Sequence, residues 1–353
     1  MANEIELRPH QKMFVDNVRK KFLTGRFALG VMAVASGKSY AAATIAKDYK
    51  RVVVIQPSIE LMKQNHKSFE KLGIKNEMIN GTVKGDWNAD VIMTTANTLC
   101  THMDCLEEPD LLIIDELHLQ HWGKMRRSIM ARWTKCKVLG MTATPHYYTQ
   151  EIKYKGRVMY SVTTCRAIAD GYFGSPVFTL SREQMKELGY GADINIVHVP
   201  IIRAREFHFL HPEIYREVIE KHVRQVNELL GKCENAIIYC DGIQHAKQLA
   251  YSIPGVHTIF GSTPAKERKE TVEKFLSGEI KYLATVGCLK IGFDKPDLKN
   301  IVILANVNNP SNAEQQIGRL NRGSGKKFCF YNSTLNTHEP VVGSQVWTEI
   351  KQV

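Results

Sequence analysis

No apolar run in the 353-residue sequence approaches the roughly 20 residues that cross a bilayer. The opening "MANEIELRPHQ" lacks the apolar stretch of a secretory leader. Both absences point to a cytoplasmic protein. None of the eight cysteines falls in a Cys-x-x-Cys pair, which argues against a zinc site or a disulfide framework. Cys100 and Cys105 are the nearest neighbours in sequence and read as reduced thiols. Low-complexity tracts and short repeats are also missing.

The composition is that of a soluble globular chain, 44% hydrophobic and 24% charged. Its length suits two domains better than one core. Basic residues outnumber acidic ones, 47 to 36, leaving a formal charge of +11. Phosphate neutralisation makes nucleic acid the commonest partner for such a balance.

Short runs rich in β-branched residues alternate with helical patterns, which predicts an α/β fold with parallel sheets. "FALGVMAV", "RVVVIQP", "ADVIMTT", "LLIIDE" and "KVLGMTA" read as strands in the first half. "NAIIYC", "HTIFG", "IKYLATV", "NIVILAN" and "KKFCFYN" read as strands in the second. "IELMKQNHKSFEKLG" is an amphipathic helix ending near Gly73. The stretch between the halves is less regular. Its one strong helix, "PEIYREVIEKHVRQVNELLGK", carries Ile214, Val218, His222, Val226 and Leu229 as an approximate stripe. The expected division is a first lobe over residues 1–150, a connecting segment over 151–234 partly packed on the lobes, and a second lobe over 235–353.

Chemistry enters at "LGVMAVASGKSYAAATIA", Leu29 to Ala46. It ends a strand in Ala35-Ser36-Gly37-Lys38-Ser39 and runs into an Ala-rich helix. That is nearly a phosphate loop, except that Met32 stands where the pattern asks for glycine. In "LLIIDELH", Asp115 and Glu116 arrive as a buried strand ends, and two carboxylates there are costly unless they have work to do. Asp115 suits Mg²⁺, and Glu116 suits the orientation and deprotonation of a water. Taken alone, the pair also reads as a solvated turn. In "NAEQQIGRLNRG", Gln315, Arg319 and Arg322 fall on one helical face. Two guanidinium groups there suit the charge developing on a γ-phosphate; a solvated basic helix is the plainer reading.

In the order "LRPHQ", "VASGKS", "QPSIELMKQ", "TTANTL", "DELH", "TATP", "IIYC", "VGCLKIGFDKPD" and "QQIGRLNR", the chain resembles the superfamily 2 helicases and translocases. The resemblance spans roughly Leu7 to Gly325. It implies two tandem RecA-like domains with ATP bound between them. It gives Gln11 the adenine-reading role, Lys38 the β/γ-phosphates, and Ser39 and Asp115 the Mg²⁺. Gly292 and Asp294 would form the far wall of the cleft, and Arg319 and Arg322 the arginine fingers. Thr142 and Thr144, with His118 and Gln315, would couple ATP state to strand grip. Pro57, Ser58, Thr94, Thr95, Gly261, Ser262 and Thr285 would touch the nucleic-acid backbone without reading sequence. Each also reads as a cap or turn residue.

Two departures from the family pattern stand in the loop: Met32 replaces Ala or Gly, and Ala35 replaces a second Gly. A positive φ at Ala35 would cost about 1 kcal/mol. The H-x-x-H pair of His118 and His121 has no further ligands near it in sequence, so no metal is expected there. The motif wording is closer to DNA-repair and restriction motors and compact phage helicases than to RNA-specific ones. The expected activity is therefore ATP hydrolysis coupled to movement on DNA by a monomer. An RNA helicase, a duplex translocase and a non-hydrolysing clamp are the alternatives. Trp122, Tyr147 and Tyr148 are candidates for base stacking. The tail from Ser333 to Val353, with Trp347, carries no assignment.

Overall fold

The computed structural model describes residues 6–119, 122–154, 157–164, 171–202, 211–287, 295–305, 310–323 and 325–332. They fall into two compact units. One lies within Met1–Tyr147 and Val162–Leu188, the other within Tyr148–Ser161 and Gly189–Val353.

Unit 1 is built on a seven-stranded sheet. Its strands are β1 (Phe27–Met32), β2 (Val52–Gln56), β3 (Glu77–Ile79), β4 (Val91–Thr95), β5 (Leu111–Ile114), β6 (Lys137–Thr142) and β9 (Phe178–Leu180). They lie in the order β3-β4-β2-β5-β6-β1-β9, and each pairing is parallel. The central strands are buried throughout: β2 and β5 expose no residue, as a parallel sheet covered on both faces requires. Helix α1 (Pro9–Thr24) precedes β1, and helices α2 (Lys38–Ala46), α3 (Ile59–Lys71), α4 (Ala96–His102) and α5 (Trp122–Arg132) lie in the crossovers between strands. Helix α3 ends as its pattern predicts. Gly73 follows it in the left-handed region, at φ +74°, and its N–H donates to Glu70 O at 2.8 Å.

Unit 2 has a six-stranded sheet in the order β10-β15-β14-β11-β13-β12, again parallel at each pairing. The strands are β10 (Asp193–Val199), β11 (Ala236–Tyr239), β12 (Val256–Ile259), β13 (Tyr282–Thr285), β14 (Asn300–Ile303) and β15 (Lys326–Asn332). A two-stranded ribbon, β7 (His146–Tyr154) with β8 (Arg157–Thr164), lies in the stretch where the chain passes between units.

The irregular stretch around residues 151–234 is divided between the units rather than forming a layer of its own. Strand β9 adds to the edge of the first sheet beside β1. Strand β10 runs beside β15 over seven residue pairs, from Asp193↔Lys326 to Val199↔Asn332. Helix α6 (Arg182–Glu187) and helix α7 (Pro212–Leu230) complete it. The predicted stripe on α7 is buried only in its second half: His222, Val226 and Leu229 are buried, whereas Ile214 is half exposed. Helices α8 (Ile243–Ser252) and α9 (Ala265–Ser277) follow.

The arginine-bearing segment differs from its sequence pattern. Helix α10 stops at Ile317 (Pro310–Ile317) and tightens into a 3-10 turn over Gly318–Leu320. Gly318 is the weak helix former at that point. Arg319 therefore sits in the tight turn and Arg322 beyond it, not on one face of a continuous α-helix.

Candidate nucleotide site

The loop after β1 is shaped by two left-handed residues, Ala35 at φ +68° and Gly37 at φ +82°. The alanine bears the cost of about 1 kcal/mol that its Cβ imposes there. Gly37 has no such freedom to vary: a Cβ on it would lie 2.0 Å from Gln11 Nε2. Helix α1 grips the loop from behind. Gln11 Nε2 donates to Ser36 O (3.2 Å) and Gly37 O (3.1 Å), and His10 Nε2 lies 3.0 Å from Ser36 O. In a trans peptide the C=O and the following N–H point oppositely. With both carbonyls drawn toward α1, the N–H groups of Gly37 and Lys38 face the other way. These are among the donors that a helix start leaves without intrahelical partners, and they favour an anion. Lys38 Nζ donates back to Met32 O (3.0 Å) and Ala33 O (3.3 Å), carbonyls at the end of β1 and just past it.

The Gln11 amide, which the resemblance assigns to the adenine base, is turned here onto the protein's own backbone. Its oxygen accepts from Arg8 N at 2.8 Å while its amino group holds the loop. Both ends of the amide are therefore engaged within the protein, and the residue is 4% exposed.

The acids lie at the carboxyl end of β5, between β2 and β6. Asp115 is buried, and its N–H donates to Ile55 O of β2. Burial, and after it the neighbouring Glu116 carboxylate, push the Asp115 carboxyl up to about 6; the Lys38 ammonium and a hydrogen bond from Asn65 pull the other way. Its Oδ1 accepts from Glu116 N at 3.0 Å and its Oδ2 from Asn65 Nδ2 at 3.1 Å. Asn65 Oδ1 in turn accepts from the Ser39 hydroxyl. The two predicted metal-holding residues are thus joined through one buried amide. Nothing in the sequence patterns singled out Asn65. The available signal was an amide in the "QPSIELMKQN" helix, whose other buried residues include Met62 and Phe69.

Glu116 adopts φ +48°, a strained conformation for a residue with a side chain, and such strain clusters at working sites. Its Oε2 lies 3.4 Å from His118 Nδ1 and has no hydrogen-bond partner among the described residues. His118 Nδ1 also lies 2.8 Å from Thr142 Oγ1, which accepts from Thr144 N at 3.0 Å. The acidic motif and "TATP" therefore touch through one imidazole.

The residues predicted to meet nucleic acid are less available. Ser58 caps α3, accepting from Leu61 N at 3.2 Å. Thr95 caps α4, accepting from Thr98 N at 3.4 Å. Thr94 and Thr285 are fully buried, and the Thr285 hydroxyl donates to Ile259 O at 3.0 Å. The structure gives those two side chains no surface for a strand, because Thr94 lies within β4 and Thr285 ends β13, both at buried positions of their sheets. Pro57 is partly exposed, and Gly261 and Ser262 are exposed. Gly292, Asp294, His121 and Trp347 lie outside the described residues, as do the side chains of Trp122, Tyr147 and Tyr148.

In unit 2, Gln315 and Arg319 are buried. The loop carrying Arg322 is anchored by Lys327, which sequence patterns did not indicate. Its buried ammonium donates to Arg322 O and, at 2.9 Å, to Pro296 O. Gly323, at φ +72°, allows that approach: a Cβ there would lie 2.6 Å from Pro296 O.

Residues 4–147 match the family described as "Type III restriction enzyme, res subunit", and residues 221–324 match the "Helicase conserved C-terminal domain". Together and in this order, the two matches support a superfamily 2 helicase with two RecA-like lobes. Members of that family hydrolyse ATP on two RecA-like lobes, and the two parallel-sheet units have that fold. Among relatives, the chain is 23% identical to a protein of Acanthamoeba polyphaga mimivirus that carries the name ATP-dependent RNA helicase R290. The match covers 92% of this chain and 58% of that protein, so this chain spans little more than half the length of its relative. Among solved structures, the ATP-dependent Type ISP restriction-modification enzyme LlaBIII bound to DNA is similar with a TM-score of 0.73 at 16% identity, covering 97% of this chain and 28% of that one. Dbp5 of S. cerevisiae, bound to RNA and ADP BeF3, is similar with a TM-score of 0.65 at 16% identity, covering 97% and 85%. No helix among the described residues is long and apolar enough to cross a membrane.

Proposed function

We propose that this helicase couples ATP hydrolysis to movement on DNA and to its unwinding or remodelling, as a monomer. The observation that carries the reading is the convergence of Lys38, Ser39, Asp115 and Glu116 at the carboxyl ends of β1 and β5. There the Lys38 charge acts on the Asp115 carboxyl, and Asn65 joins Asp115 to Ser39.

In this reading the triphosphate lies on the loop N–H groups, with Lys38 leaving its carbonyl partners to meet the β- and γ-phosphates. Ser39 and Asp115 offer a hydroxyl and a carboxylate, the hard oxygen donors that suit Mg²⁺. The bound ion would neutralise charge on the β- and γ-phosphates. Glu116, whose Oε2 has no hydrogen-bond partner among the described residues, orients a water and takes its proton. The water oxygen bonds to the γ-phosphorus, the bond to the bridging oxygen breaks, and ADP leaves with that electron pair. Arg319 and Arg322 have the role that the resemblance gives them, stabilising the charge on the departing phosphoryl group. The resemblance gives Gly292 and Asp294 the far wall of the nucleotide site. His118, Thr142 and Thr144 report the γ-phosphate to the strand-gripping loops, and Gln315 does so from unit 2. Pro57, Ser58, Thr95, Gly261 and Ser262 contact the strand through backbone groups and whatever hydroxyl valence their caps leave free.

DNA is favoured over RNA by the restriction-motor character of the first match and by the DNA-bound neighbour. RNA is the second reading, favoured by the name of the viral relative and by the RNA-bound yeast neighbour. The net charge of +11 suits either. Phosphate release measured against a panel of single-stranded, forked and duplex DNA and RNA decides. Stimulation by DNA structures alone supports the proposal, and stimulation by RNA alone overturns the choice of substrate.

A further inference from the structure

Asn65 is a buried side chain that the predicted mechanism does not use. It is 2% exposed, in the middle of α3, and it makes contacts on both sides. Its amino group donates to Asp115 Oδ2 at 3.1 Å, and its carbonyl oxygen accepts from the Ser39 hydroxyl. The polarity is dictated by the partners. An ionised carboxylate only accepts, so the NH₂ end must face Asp115. The oxygen then faces Ser39 and takes its single proton. With that proton committed, the Ser39 lone pairs turn outward. The Asp115 carboxylate is held at both oxygens, by Asn65 Nδ2 and by Glu116 N.

We propose that Asn65 is a positioning residue for the divalent cation that accompanies the nucleotide: its amide fixes the Ser39 hydroxyl and the Asp115 carboxylate as a pre-oriented donor pair. The proposal rests on the nucleotide reading of this site. No other residue type does both jobs in the same space. Leucine has a similar bulk but neither donor nor acceptor. Aspartate would set a second carboxylate against Asp115. Serine reaches one partner at most. Groups that orient metal-binding side chains typically contribute about 10- to 100-fold to metal affinity when intact.

The test separates nucleotide from cation. A fluorescent ATP analogue is titrated onto the full chain in EDTA, and then at fixed nucleotide with increasing Mg²⁺, for wild type, Asn65→Leu and Asn65→Ser. The expected result is unchanged nucleotide affinity in EDTA, where the loop and Lys38 suffice, with the Mg²⁺ midpoint raised about tenfold or more in both variants. A wild-type Mg²⁺ midpoint in either variant overturns the proposal. So does an equal loss with and without Mg²⁺, which would mark Asn65 as packing only. Should Asn65→Leu not fold, shown by its melting curve, Asn65→Ser is decisive on the same criteria. Failure of the wild-type chain to bind nucleotide at all would instead sink the nucleotide reading beneath it.

Discussion

The two units share a parallel-sheet plan but use their polar groups differently. In unit 1 the candidate residues are wired to one another: Gln11 to the loop, Ser39 through Asn65 to Asp115, and His118 to Thr142. In unit 2 the candidate arginines lie on a short turn and the loop after it. The backbone there is held from below by Lys327, and the expected strand-contact hydroxyl of Thr285 is buried within the sheet. Chemistry on a phosphate needs side chains fixed against each other. A grip on a strand backbone needs only N–H groups and carbonyls at loop ends. The first leaves a trace in residue identities, whereas the second leaves little.

The largest expected effect lies in unit 1. Glu116→Gln keeps the shape but cannot take a proton. Turnover should fall about 10²- to 10⁴-fold while the ATP analogue still binds, as read by phosphate release and fluorescence. Comparable loss of binding would move Glu116 from catalysis to substrate affinity. In unit 2, Lys327→Met should act through the loop of Arg322. Removing the donor leaves two carbonyls without it, costing about 1–3 kcal/mol of stability in urea unfolding. It should lower kcat more than nucleotide affinity; an unchanged kcat would detach that loop from the reaction.

Smaller effects sharpen the contrast between structure and grip. Ser58→Ala removes the cap of α3 and should cost about 1 kcal/mol by denaturant titration; no loss would return the hydroxyl to the strand-contact role. The smallest effect is a pH dependence in unit 2. The His222 ring lies 2.8 Å from His245 Nε2 by its own Nε2, and its Nδ1 meets Ile202 O. Burial holds its pKa below the ordinary value, with the Ile202 carbonyl and Asp241 opposing. As pH falls through about 6.5, the unfolded chain takes up that proton before the folded one, so folding stability drops. His222→Gln should flatten the acid side of the melting profile, and an unaltered slope would contradict this.

Much of this was legible in the residues. The strand runs "LLII" and "VVVI" are apolar without alternation, which only strands buried on both faces tolerate, and they fall in β5 and β2. The Ala35 strain followed from the missing glycine and appears at φ +68°. Other features were hidden because they arise only when distant segments meet. Asn65 lies 50 residues from Asp115 and 26 from Ser39, so no local pattern could mark it. The use of the Gln11 amide depends on how the loop turns its carbonyls. The break at Gly318 depends on a tight turn winning over a periodicity that would suit a longer helix.

The central claim is that a nucleoside triphosphate lies on the loop of unit 1 with Lys38 at its phosphates. The most direct test is phosphate release by wild type and Lys38→Ala, each with saturating single-stranded DNA. The account predicts steady turnover for the wild type, and for the variant a rate at background with weakened nucleotide binding. Wild-type turnover by Lys38→Ala would contradict it.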